Sequence, residues 1–251
     1  SHGFAAYSSV ARRILASATA ILLAVTFAAC SSPSRPGPVA DPGGPNTLTD
    51  AERAAGWRLL FDGRSTAGWR GFRQSAMSGG WSVVDGALTR TGSGGDIITV
   101  DQFASFELAL EWQIAPGGNS GVMYRVSESA DATFLTGPEM QVLDNAGHPD
   151  GASPLTSAGA CYGLYPPSAT VARPAGAWNE ARIIVRDARV EHWLNGVKIV
   201  EYELGSVEWL TRLQASPFRD VPGYGREPRG HIALQDHGDR VAYRGIKIRE
   251  R

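Results

Sequence analysis

Cysteine is nearly missing from this chain: Cys30 and Cys161 are its two among 251 residues. Two thiols cannot build the disulfide framework that staples small secreted domains, and no CxxC or HExxH spacing marks a preformed zinc site. A formal net charge of −1 excludes a binder that holds nucleic acid through a general basic field. A GxSxG elbow, a P-loop and a dinucleotide fingerprint are all absent, and Cys161 in "GACYGLY" has no activating neighbours. Nucleophilic and nucleotide-dependent chemistries therefore lack support, and Cys161 reads as a small buried apolar residue. There are no heptads, no fixed-period repeats and no long helical patterns.

The one long apolar run stands at the N-terminus. Arg12 and Arg13 precede residues 14–29, which carry no charge and run into Cys30 as "FAAC", residues 27–30. The run is short for a membrane span and has the flanks of an export signal. Small residues immediately before Cys30 resemble a bacterial lipobox, although Phe27 stands where leucine is commoner. The expectation is a signal peptide over residues 1–29, lipidation at Cys30, and a protein exported and anchored in the bacterial envelope, periplasmic or at the cell surface. An ordinary secretory signal is the plainer alternative. Losing Arg12 and Arg13 with no acidic residue would take the net charge from −1 to −3. Residues 31–46, "SSPSRPGPVADPGGPN", are a Pro/Gly/Ser tether, which places a single domain over residues 47–251.

That domain is rich in turn formers, with glycine at 30 and proline at 15 in the whole chain. "TLTDAER" offers one capped helical turn, Thr49 with Glu52 as its capping-box partner. Asp85-Gly86, Asp187-Ala188 and Asn195-Gly196 punctuate strand pairs. "FELALEWQI" alternates, with Phe106, Leu108, Leu110 and Trp112 on one face. "SVEWLTRLQAS" offers one short helix with Val207, Leu210 and Leu213 on one side, and Gly245 marks a bulge in the last strand. Many short strands joined by glycine-rich turns predict an all-β fold, a sandwich or jelly roll of two antiparallel sheets.

Candidate site residues are those whose outward strand faces are polar without being simply charged. Glu139 and Gln141 share a face of "PEMQVLD", opposite Met140 and Val142, with Asp144 at the strand end. "GHIALQDHG" reads as one strand, with Gln235 and His237 sharing a face and His231, at its start, as edge surface. "GVMYRV" sets Met123 and Arg125 against Val122, Tyr124 and Val126. "VEHWLNG" carries His192 on a strand whose buried face periodicity does not choose. Any one of these faces is more often wet surface than site. Retaining glycosidases need two carboxylates about 5 Å apart; Gln141 occupies the position where a same-strand partner of Glu139 would stand, which counts against that chemistry.

Six blocks carry a resemblance: "LFDGRSTAGW", "WSVVDGALTRTG", "NSGVMYR", "GPEMQVLDN", "WNEARIIVRDARVEHWLNGVKIVEYE" and "GHIALQDHGDRVAYRGIKIRE". In this order, from about residue 56 to 251, they resemble the 3-keto-disaccharide hydrolase family, also described as 3-keto-glucoside 1,2-lyase and 3-keto-2-hydroxyglucal hydratase domains. The resemblance implies a concanavalin-like jelly roll and cleavage of 3-keto-glycosides. In that chemistry a ketone at C3 acidifies the C2 hydrogen, a base removes it, the C1 substituent leaves from the enolate, and water adds back. The family pattern carries over the positions in "EMQ", "YR" and "LQDHG" but not their roles; weighed against that chemistry, His237 or Glu139 is the base and His192 the third candidate for proton transfer. Arg125, Gln141 and Gln235 would orient the sugar, and Asn119 and Asp144 would bind hydroxyls or a metal. No cofactor is required, and a divalent metal ion is an optional electrophile. The partners expected are a sugar substrate and, through Cys30, a membrane. The alternative from another class is a non-catalytic carbohydrate-binding lipoprotein, which would expose a row of aromatics drawn from Trp69, Trp178, Trp193 and Trp209.

Overall fold

The computed structural model describes residues 43–251. The leader, Cys30 and most of the tether lie outside the described residues. Asn46, placed by the sequence at the tether's end, is stitched to the domain: its amide donates to the Gly86 carbonyl (2.7 Å) and accepts from the Gly245 N–H (2.9 Å).

The strands, in chain order, are β1 Arg58–Leu59, β2 Trp69–Gly71, β3 Trp81–Val84, β4 Ala87–Arg90, β5 Ile97–Thr99, β6 Phe106–Ile114 and β7 Asn119–Val126. They continue as β8 Glu139–Leu143, β9 Asn179–Arg186, β10 Arg189–Leu194, β11 Val197–Glu203, β12 His231–Leu234 and β13 Val241–Glu250. Two short α-helices, α1 Asp50–Ala54 and α2 Val207–Gln214, accompany them. All pairings are antiparallel and sort into two sheets. The large sheet runs β11-β10-β9-β6-β13-β4-β3, with β1 added beside β13. The small sheet runs β2-β5-β12-β7-β8. This is the two-sheet jelly roll that the strand pattern predicts.

Alternation builds the core. Phe106, Leu108, Leu110 and Trp112 of β6 are buried together with Val122 and Tyr124 of β7 and Met140 and Val142 of β8. Each such side chain contributes about 1.5–3 kcal/mol on leaving water. The hairpin turns fall where the sequence puts them. Asp85-Gly86 and Asn195-Gly196 have positive φ at both residues, as a type I′ turn requires, and Asp187 lies in the same region. Thr49 and Glu52 form the capping box of α1. Gly245 (φ 60°) stands where the β13–β6 register shifts.

Three local readings are corrected. α2 buries Trp209 and Leu213, an i, i+4 pair, while Val207 is 83% exposed; the indole supplies more apolar surface than the Val207 side could. β7 does not alternate to its end. Arg125 takes a left-handed conformation (φ 52°) where the pairing with β12 shifts register. Val126 thereby joins Met123, Ile98 and Ala233 in a second small apolar cluster instead of following Tyr124 into the main core. His231 is buried, not edge surface: its Nδ1–H donates to the Thr99 carbonyl (2.6 Å) and its Nε2 accepts from the Gln102 amide (3.0 Å).

Candidate active site

β8 starts the site. Met140 and Val142 enter the core, so Glu139 and Gln141 point out of the sandwich across the small sheet. Beside them on β7 stands Gly121, paired in register with Gln141. A methyl group at Gly121 would collide with the Glu139 carboxylate. The glycine thus leaves room for the carboxylate to lie across the neighbouring strand. β12 ends at Leu234, so "GHIALQDHG" is not one strand. Gln235 still holds to the sheet, its N–H donating to the Gly121 carbonyl (3.0 Å), and His237 follows on a loop.

Glu139, Gln141, Asn119, Gln235 and His237 line one cavity of about 350 Å³. They form its polar floor. The loops over the small sheet supply an apolar wall: Phe134 and Leu135 from the 3-10 turn Thr133–Leu135, Tyr162, and Pro217, Phe218 and Val221 after α2. The size suits a small organic ligand. Three oxygens of the floor, Asn119 Oδ1, Glu139 Oε1 and Gln235 Oε1, are buried without a hydrogen-bond partner in the protein. Buried acceptors are almost always satisfied, so three together ask for donors from a ligand or solvent.

Glu139 is fully buried, and burial pushes its carboxyl up to about 8, with the negative charges of Asp96 and Asp150 adding to the effect. Such a group exchanges protons near neutral pH. Asp96 ties the two sides of the cavity together. It accepts from the Thr133 hydroxyl, next to Phe134, and from the Asp236 N–H (2.8 Å), between Gln235 and His237. Burial raises the Asp96 carboxyl too, although those two hydrogen bonds oppose the rise. His237 is exposed at the rim, its ring edge-on to His148 at 6.2 Å. His148 Nδ1 accepts from the Asp150 N–H (3.1 Å), which leaves Nε2 as the proton-bearing nitrogen of the neutral ring.

The remaining expected residues lie elsewhere. His192 is wholly buried between the sheets; its Nδ1–H donates to the Gly159 carbonyl (3.0 Å) and its Nε2 accepts from the Tyr124 hydroxyl (2.9 Å). With both nitrogens engaged and no path to the cavity, it is a core residue and not a proton-transfer group. Arg125 clamps backbone. Its guanidinium donates to the carbonyls of Ala104 (2.8 Å) and Asp187 (2.6 Å), which holds the bulge and leaves no sugar contact. Asp144 accepts from the N–H groups of Gly117 (2.8 Å) and Ala146 (3.2 Å) and so staples the turn after β8. Trp69 and Trp209 are core residues, and Trp193 lies on the outer face of the large sheet.

The sequence reading passed over Asp96 and the whole apolar wall. The signal for Asp96 was present in "GGDIIT", an acid set immediately before the two isoleucines that open β5. The wall comes from irregular loops, where no periodicity reports which side chains converge. A divalent ion would meet only one carboxylate on the floor, one whose charge burial disfavours. Among the described residues no three His, Cys, Asp or Glu side chains converge on a metal position. A larger recess of about 620 Å³ crosses the outer face of the large sheet. Its charges are already paired, Arg244 with Glu111, Lys247 with Glu52 and Arg182 with Glu107, and no unpartnered buried atom lies there among the described residues. The smaller cavity therefore has the chemistry of a site.

The model of the 3-keto-alpha-glucoside-1,2-lyase-like domain matches residues 56–249. A 3-keto-disaccharide hydrolase of Bacteroides thetaiotaomicron is 34% identical over 187 residues, covering 65% of this chain and 64% of that protein. The match thus spans less than two thirds of that relative's length. A crystal structure from Parabacteroides distasonis, of a protein provisionally named a glycosyl hydrolase, superposes with a TM-score of 0.77 at 34% identity. It covers 82% of this chain and 99% of that one. A further structure from the same organism, with the same provisional name, gives 0.58 at 29% identity, covering 78% and 84%.

Proposed function

The chain belongs to the 3-keto-alpha-glucoside-1,2-lyase-like domain family, and on that footing we propose that it cleaves glycosides whose sugar carries a ketone at C3. The observation that carries the reading is the meeting, in one cavity, of two buried unpartnered amide oxygens, of Asn119 and Gln235, with the Glu139 carboxyl group, itself raised to about 8 and with one oxygen unpartnered. Sugar hydroxyls donate to such acceptors. A carboxyl of that acidity takes a proton from a carbon acidified by a neighbouring ketone more readily than an ordinary carboxylate does.

Ionised Glu139 removes the C2 proton, and the electron pair moves toward the C3 oxygen as an enolate. The amide group of Gln235, held next to Gly121 where the Glu139 carboxylate lies, donates to that oxygen, and Asn119, two residues from Gly121 along β7 in the same cavity, holds the ring. The pair then returns and expels the C1 oxygen substituent, which takes a proton from His237 at the rim. Water adds at C1 and a proton returns to C2, so the balance is glycoside plus water giving 3-keto-sugar plus alcohol. One carboxylate suffices, which accounts for Gln141 where a conventional glycosidase would need a second acid.

The test is a paired assay of 3-keto-glycosides and their unoxidised parents in deuterated water. Turnover of the ketone alone, with solvent deuterium entering C2, is expected. Cleavage of the unoxidised sugar, or cleavage of the ketone with C2 still carrying its original hydrogen, would contradict the mechanism. We further propose export and lipid anchoring at Cys30, supported by Arg12, Arg13 and the uncharged run 14–29. Loss of lipid labelling and of membrane fractionation in Cys30→Ala is the expected result.

A further inference from the structure

The cavity has two chemically different sides, and the reaction needs only one of them. The polar floor meets the demands of one oxidised sugar ring. Opposite it stand Phe134, Leu135, Pro217, Phe218 and Val221, with the Tyr162 hydroxyl as the one polar side-chain group on that wall. Phe134 is 43% exposed, a large apolar side chain held at the cavity mouth with no core to enter. Phe218, in the same lining, is packed: it stacks on Tyr224 at 4.0 Å and meets Tyr162 edge-on at 6.4 Å. Tyr224 in turn stacks on Trp209 of α2. Phe218 is therefore the end of a packed aromatic column that anchors this part of the wall.

We propose that this wall is a leaving-group subsite built for an apolar aglycone, alicyclic or aromatic, in preference to a second sugar. The inference rests on the 3-keto-glycoside reading above. A second sugar can lay a C–H face on Phe134 or Phe218, but its ring-edge hydroxyls would meet a lining completed by Leu135, Pro217 and Val221, which neither donate nor accept, and each hydroxyl that lost water there without a partner would cost binding. A hydrocarbon ring of the same size would bury its surface at no such cost. In the cleavage step the aglycone departs as the neutral alcohol: the C1–O bond breaks, its electron pair stays on oxygen, and that oxygen takes the proton from His237. An apolar alcohol is accommodated by the wall throughout.

The discriminating substrates are cyclohexyl 3-keto-α-glucoside and a 3-keto-α-glucosyl-glucose. Their leaving groups match in ring size and differ chiefly in hydroxyls. A kcat/KM at least about tenfold higher for the cyclohexyl compound is expected, with Phe134→Ala and Val221→Ser each reducing that ratio several-fold. Equal or faster turnover of the disaccharide, or a ratio unmoved by both variants, would overturn the subsite. Calorimetry with the unoxidised cyclohexyl α-glucoside and maltose separates this inference from the catalytic reading. Tighter binding of the cyclohexyl compound by a protein that turns over neither ketone would overturn the reaction and leave the subsite standing. Tighter binding of maltose would overturn the subsite whatever the activity.

Discussion

His192 and Glu139 are both buried titratable groups, yet the fold treats them in opposite ways. The His192 ring is enclosed by Tyr124, Tyr202 and the Gly159 carbonyl, and burial lowers it from 6.5 to about 4, with the bond to Gly159 opposing the drop. Between those two values the unfolded chain binds the proton and the folded chain does not. Stability therefore rises with pH across this window and is lost as pH falls through it, an effect of about 3 kcal/mol. His192→Phe is expected to flatten that acid slope. It should also cost about 1–3 kcal/mol in urea unfolding at pH 7, because the Gly159 carbonyl loses its donor and the Tyr124 hydroxyl keeps only Tyr202 of its two partners. In folded protein its kcat/KM should stay within a few-fold of wild type. A loss of activity with unchanged stability would return His192 to the mechanism.

Strands β7 and β8 show how the site is made from ordinary sheet. Alternation on β8 was legible in the sequence because Met140 and Val142 are plainly apolar and Glu139 and Gln141 plainly polar. The inward turn of His192 on β10 was not legible, since histidine fits either face and Trp193 on the other face is as apolar as Val190. The bulge at Arg125 escaped for a different reason. Nothing in "MYRV" announces a left-handed arginine, which the carbonyls of Ala104 and Asp187 hold from distant parts of the chain. Gly121 is the element-scale device: its missing side chain lets the Glu139 carboxylate reach over β7. Gly121→Ala should displace that carboxylate and lower kcat by more than about tenfold, since misplacement by an ångström is costly in catalysis. Far-UV circular dichroism should stay that of the wild type. Wild-type kcat in the alanine variant would mean that the Glu139 position is not critical.

At the scale of the molecule, the two sheets divide the work. The small sheet carries the cavity and its orphan acceptors, while the large sheet is fastened by paired charge. Glu107 is 1% exposed, ringed by Arg182 of β9, Arg249 of β13 and Arg251. Burial opposes its charge, but the hydrogen bonds from Arg251 and Arg249 and the charge of Arg182 win, holding the carboxyl below its usual 4.5. Its stabilising effect is thus complete above the unfolded value and lost as pH falls through the lower folded one. Glu107→Gln should cost about 1–3 kcal/mol at pH 7, since the three guanidiniums reach water, and the gap to wild type should narrow as pH falls below the unfolded value of 4.5. A gap independent of pH would assign the cost to packing. The catalytic reading itself turns on one group, and the pH dependence of kcat/KM for a 3-keto-glycoside, in the wild type and in Glu139→Gln, isolates it. The rising limb of the wild-type profile should follow ionisation of Glu139 around 8, and the folded glutamine variant should lose that limb and at least about 100-fold in rate. A Glu139→Gln protein that keeps the wild-type rate and profile would contradict the assignment.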